Sequence, residues 1–147
     1  MPRIQLTLPD IFPFSTTLQV YQSHINEAGH VDNAQLLSLV SEARQRFFHA
    51  LGFKQLDVDG VGIVVADAAL QYLSEAFYSE QLQVDVAAND FNKYGCDLVF
   101  RIQELTTQRP VAHAKTGIVF FDYQTRKVAP VPQAFVAAVL ALSSHGG

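Results

Sequence analysis

The chain has 147 residues, 49% of them hydrophobic and only 16% charged, with 14 acidic side chains against 10 Lys and Arg and a net charge of −4. That length suits one domain with a sizeable core, and that apolar content excludes a disordered chain. The acidic balance argues against binding nucleic acid, which needs clustered Lys and Arg, and the lone Cys96 can form neither an internal disulfide nor a cysteine-based zinc site, so the fold is expected to hold by packing in a reducing compartment.

The first residues, MPRIQLTLPDIFPF, break every apolar stretch with Gln5, Thr7, Pro9 and Asp10, so no secretory signal is expected. Residues 14–22 then alternate Phe14, Thr16, Leu18 and Val20 against polar neighbours, the period of a strand. A polar stretch with a glycine, SHINEAGHV, reads as a loop. Residues 32–51 carry the strongest helix signal. Asp32 suits the N-cap with Gln35 as the other half of a capping box, Leu36, Val40, Ala43 and Phe47 recur at helical spacing, and Gly52 suits the end. Residues 62–73, 81–89, 95–104 and 110–122 read as strands joined by short turns. The apolar run 134–142 is the longest compact one, and it is too short for a membrane span. These elements predict an α+β fold over residues 1–147. A curved antiparallel meander of about five strands wraps one long central helix, with open edges suited to pairing between protomers. The default location is the cytoplasm, with no membrane partner.

The densest polar chemistry lies where the helix begins, at SHINEAGHVDNAQ. A helix N-terminus offers unpaired N–H groups and the positive end of a dipole, which can polarise a carbonyl. His24 and His30 could serve as bases near neutral pH, or pack structurally against the helix start. Asp32 is explained by capping and Glu27 by solvation. Glu42, on a mostly apolar helix, needs a partner, which Arg46 can supply four residues on. Asp67 is either a strand acid with a raised pKa or a solvated one, and Cys96 reads as a buried apolar residue. No G-x-S-x-G elbow, P-loop, dinucleotide fingerprint or metal-spaced His pair occurs.

The run Asn26-Glu27-Ala28-Gly29-His30-Val31-Asp32-Asn33-Ala34, followed by Glu42-Ala43-Arg44, resembles the motif of the hotdog-fold acyl-CoA thioesterases, in particular the 4-hydroxybenzoyl-CoA thioesterase-like branch. That branch reads D-x-x-G-H-V-N-N-A and then E-x-A-R one helix later. ALQYLSEAF sits where it has a strand reading like V-x-Y-L-x-P-A, and Pro132 falls at its proline after the last strand. The resemblance implies a hotdog domain, a dimer whose sheets join, dimers that pair into tetramers, and an acyl thioester of coenzyme A as substrate with no other cofactor and no metal. The carbonyl would lie at the helix N-terminus near Asn33. Asn26, His30, Asn33 and Glu42 are then the candidate catalytic residues. Lys93, Tyr94 and Gly95, on the turn before a strand, are the candidates for meeting coenzyme A and its phosphates. The sequence departs from the family at Asn26, which stands for an Asp, at Ser41, which stands for the helix Glu with Glu42 one position off, and at Ser79-Glu80, which stand for a G-D. An amide cannot take a proton from water. Two expectations follow: hydrolysis of an acyl-CoA with a water held near Asn26, or a module that binds acyl-CoA or an acyl carrier protein with little hydrolysis.

Overall fold

In the computed structural model, which describes residues 3–55 and 57–145, the strands are β1 (Phe14–Gln19), β2 (Gly62–Tyr72), β3 (Gln81–Asn89), β4 (Gly95–Glu104), β5 (Pro110–Asp122) and β6 (Lys127–Val128). The helices are α1 (Asn33–Ala50) and α2 (Gln133–His145), with a 3₁₀ turn at Gln22–His24 ahead of α1. All strand pairs are antiparallel, in the order β1-β3-β4-β5-β2, with β6 beside the end of β5. Strands β3, β4 and β5 match the alternation read from the sequence residue for residue, whereas β1 ends at Gln19 and β2 at Tyr72.

The expected meander holds for β3, β4 and β5 only. β2 pairs with β5 at the far edge, Ile63 opposite Phe120 and Tyr72 opposite Ala112. Residues 73–80 make this possible. From β2 to β3 the chain crosses three strand spacings, about 15 Å, well within the reach of that link. This crossing runs under the first turn of α1, where Ala76 accepts a hydrogen bond from the Val31 N–H at 2.8 Å.

Helix α1 starts where Asp32, in extended conformation, accepts from the Ala34 N–H at 3.0 Å. The expected return bond from Gln35 does not form, because the Asp32 N–H already donates to the His24 carbonyl at 2.9 Å. At the other end Gly52 takes φ +96, and the Gly52 and Phe53 N–H groups donate to His49 and Phe48, a Schellman ending. Leu36, Leu39, Val40, Ala43, Phe47 and Phe48 are buried. They share one core with Leu82, Val84 and Val86 of β3 and Leu98, Phe100 and Ile102 of β4. Each of the Leu, Val, Ile and Phe side chains among them contributes about 1.5–3 kcal/mol by leaving water.

Helix α2 was not among the expected elements. Its run AFVAAVLAL is apolar on nearly every face, so it shows no helical period, yet Ala and Leu favour helix. Its Phe135 is fully buried and meets Phe48, Phe53, Phe91 and Phe120 at ring-centroid distances of 5.5, 6.4, 6.1 and 5.1 Å. The short β6 also escaped the sequence reading, as a two-residue strand has no alternation to see.

The opposite face of the sheet is crossed by the N-terminal segment. The Leu6 N–H donates to Gln71 Oε1 at 3.2 Å, and the Phe12 ring lies 4.5 Å from the Arg101 guanidinium carbon. Beneath it Asp85, 3% exposed, accepts from Arg101 Nε at 2.8 Å and from Gln83. Among the described residues no helix is long and apolar enough to cross a membrane.

Candidate functional site

Strand polarity divides the sheet into two ends. Gln19, Tyr72, Gln81, Glu104 and the start of α1 lie at one end, and Gly62, Asn89, Gly95 and the end of α1 lie at the other. A cavity of about 360 Å³ opens at the first end, between the start of α1 and the end of β2. Its polar lining is His30, Asn33, Tyr72, Ser74 and Glu75, and its walls are apolar, with Leu36, Leu73 and Val111 among them.

Two candidate residues, His30 and Asn33, face this cavity. The loop before α1 is closed by a bridge between Ile25 and Val31 and turns at Gly29, φ +89. This brings His30 to the helix start, with Nδ1 3.2 Å from the Val31 carbonyl oxygen and Nε2 3.7 Å from Glu75 Oε1. Asn33 is the first residue of α1, and its carbonyl accepts from the Tyr72 hydroxyl at 3.3 Å. The N–H groups of a first helical turn have no intrahelical acceptor; that of Ala34 is taken by Asp32, which leaves that of Asn33 free of the cap.

Asn26 lies in the adjoining loop. Its Oδ1 accepts from the Ala28 N–H at 3.0 Å and from the His30 N–H at 3.5 Å, which leaves its amide hydrogens as the groups it can offer outward. Glu42 lies elsewhere. It pairs with Arg46 at 2.7 Å, and Arg46 also donates to Thr16 Oγ1 and the Thr17 carbonyl, on the side of α1 facing β1. His24 sits near that pair and accepts from the Tyr21 N–H at Nδ1, 2.9 Å.

Lys93, Tyr94 and Gly95 stand at the opposite end of the sheet, a strand length of about 30 Å from the cavity. Asn92 Oδ1 fixes their turn by accepting from the Tyr94 and Gly95 N–H groups, and Lys93 Nζ lies 5.3 Å from the Tyr94 ring centre. Asp67 is solvated on the outer face. The Lys115 ammonium, 2.7 Å away, holds its carboxyl below the usual range, and the Gly117 N–H adds to this. Cys96 is buried, and desolvation pushes its thiol up to about 12.

Glu75 is the lining residue that the sequence reading passed over. It lies on the crossing link, far from the motif in sequence, and only the unexpected β2 placement brings it under α1. Its signal in the sequence is the V-x-Y-L-x-P-A pattern, whose proline position is Glu75 here. The link is firmly held. Arg109 donates to both Glu80 carboxylate oxygens at 2.9 and 3.1 Å, to the Glu75 carbonyl at 2.9 Å and to Ser74 Oγ at 3.3 Å. The Glu80 bonds raise the Arg109 pKa above its ordinary value.

The family model of the thioesterase-like superfamily matches residues 20–139. Slr0204, a 1,4-dihydroxy-2-naphthoyl-CoA thioesterase from Synechocystis, is 22% identical with a TM-score of 0.78 over 86% of this chain and 95% of its own. BH1999, a gentisyl-coenzyme A thioesterase, is 17% identical with a TM-score of 0.76 over 86% of this chain and 99% of its own. SAV2348 from Staphylococcus aureus, solved in complex with CoA, is 15% identical with a TM-score of 0.80 over 95% of this chain and 89% of its own. No curated protein sequence matches this one. At these identities the likeness is one of fold, and the fold is the hotdog expected from the sequence.

Proposed function

The chain belongs to the thioesterase-like superfamily, and from that membership we propose that it hydrolyses an acyl-CoA thioester to the free acid and coenzyme A. The observation that carries the reading is the cavity at the start of α1, which joins apolar walls to first-turn N–H groups and to His30. The thioester carbonyl oxygen accepts from the N–H at Asn33, where the helix dipole favours developing negative charge. The acyl group packs against Leu36, Leu73 and Val111. A water lies toward the Asn26 loop. Asn26 donates to it through its amide hydrogens, since its Oδ1 is occupied.

The working unit is a homodimer joined through the β2 edges. β2 exposes Val65 and Tyr72 along an unpaired edge, at 45% and 52%. Antiparallel pairing of two such edges sets the Tyr72 end of one copy beside the Gly62 end of the other. Lys93, Tyr94 and Gly95 of the second copy then approach the cavity, where they meet coenzyme A. Val65→Lys is expected to shift the sedimentation coefficient to that of a monomer, and an unchanged coefficient removes this interface.

The occupied Oδ1 of Asn26 favours one second reading, a hotdog module that holds acyl-CoA or an acyl carrier protein with little hydrolysis. Thiol release from a panel of aliphatic and aromatic acyl-CoAs separates the two, using wild type, Asn26→Asp and Asn26→Ala. Turnover by wild type with a loss in Asn26→Ala supports the enzyme. Turnover by Asn26→Asp alone supports the binding module. Active wild type with unaltered Asn26→Ala removes Asn26 from the site.

A further inference from the structure

We propose that Glu75 is the group that takes the proton from the attacking water, with His30 as its positioning partner, an inference that rests on the hydrolytic reading above. Glu75 is the one carboxylate among the residues lining the cavity. Of the neighbouring carboxylates at this end of the sheet, Glu27 stands in the loop before α1 outside the cavity lining, and three others are already engaged. Glu80 is bound by Arg109 through both oxygens and accepts from the Phe77 N–H, Asp32 caps α1, and Glu104 accepts from the Thr106 and Thr107 N–H groups. The Glu75 side chain is 60% exposed and makes one polar approach, to His30 Nε2 at 3.7 Å.

The backbone beneath Glu75 is fixed from two sides. Arg109 Nη2 donates to its carbonyl at 2.9 Å, and the next carbonyl, that of Ala76, accepts from the Val31 N–H at 2.8 Å. The second bond ties Glu75 to the residue following His30. A carbonyl oxygen only accepts, so the His30 Nδ1 near the Val31 carbonyl carries hydrogen, and Nε2 is the nitrogen turned to Glu75. His30 Nε2 and a Glu75 carboxylate oxygen thus border the same space, 3.7 Å apart. That arrangement suits one water held between them.

The step balances without a further reactant. Glu75 accepts a proton as the water oxygen bonds to the thioester carbon, and the negative charge collects on the former carbonyl oxygen at the α1 N-terminus. The C–S bond then breaks, and the leaving thiolate takes the proton back from Glu75. The products are a carboxylic acid and a thiol, and the carboxylate is regenerated.

The test measures thiol release against pH with the acyl-CoA that wild type turns over best. A general base contributes roughly 100- to 10,000-fold. Glu75→Gln is therefore expected to lower kcat by at least 100-fold at every pH and to leave KM within about threefold. Glu75→Asp keeps a carboxylate and is expected to turn over at a kcat at least tenfold below wild type and above that of Glu75→Gln, and this variant carries the test if Glu75→Gln does not fold. A Glu75→Gln enzyme within threefold of wild-type kcat at every pH, or a Glu75→Asp enzyme equal to wild type, overturns the assignment while hydrolysis stands. A wild-type protein that turns over no member of the panel overturns the hydrolytic reading and this inference with it.

Discussion

The two ends of α1 are built to opposite ends from one continuous helix. At the C-terminal end Phe47, Phe48, Phe53, Phe91, Phe120 and Phe135 close on one another, and Gly52 turns the chain back over them. At the N-terminal end the sheet stays open around polar groups, and order comes from hydrogen bonds of a loop and a crossing link. Apolar packing supplies stability without aiming any group, whereas the open end holds His30, Asn33 and Glu75 in place through Arg109 and the Val31–Ala76 bond. The contrast predicts that damage at one end reads out mainly as stability and at the other mainly as turnover.

The largest expected effect is at the closed end. Phe135→Ala leaves a void among the rings and should cost about 3–5 kcal/mol in chemical denaturation. Thiol release measured well below the melting temperature should stay within twofold of wild type. A large loss of turnover at low temperature would merge the two ends into one. Next comes the open end. Arg109→Ala removes charge-assisted bonds to Glu80 and to the Glu75 carbonyl and should cost about 1.5–3 kcal/mol. It should also reduce kcat far more than Phe135→Ala does, and an unaltered kcat would show that the link needs no clamp. The smallest effect concerns Cys96, near the closed end. With its thiol raised to about 12, it is almost wholly protonated at pH 8, so iodoacetamide should label it only after denaturant is added. The sign of the linkage is set by that shift. The unfolded thiol ionises near 9 while the folded one does not, so the Cys96 contribution to stability is complete below pH 9 and falls as pH climbs from 9 toward 12. Labelling of the native protein at pH 8 would contradict it.

Legibility in the sequence follows the same division. Strands β3, β4 and β5 and helix α1 each bury one face and solvate the other, so their periods are written in residues such as Leu98, Phe100, Leu36 and Val40. The seal at Phe135 was not legible, because an all-apolar segment carries no period, and neither was the edge position of β2, because partner choice depends on the link rather than on the strand. Of the cavity lining, His30 and Asn33 fall inside the motif, because both are local to the helix start. Glu75 was passed over for the converse reason: it reaches the cavity through chain topology, and although the V-x-Y-L-x-P-A pattern marks its position, no spacing rule relates it to His30. Glu42 belongs to a side of α1 remote from the cavity, as one position along a helix is about 100° of rotation.

The bond from the Val31 N–H to the Ala76 carbonyl has a dynamic consequence. It is the stitch between the wall that carries His30 and the wall that carries Glu75, and Val31 itself is buried. Its amide hydrogen can trade with deuterium only when the two walls part. The exchange rate of that single amide is therefore a clock that counts how often the mouth of the cavity opens, in the resting protein and with no substrate present.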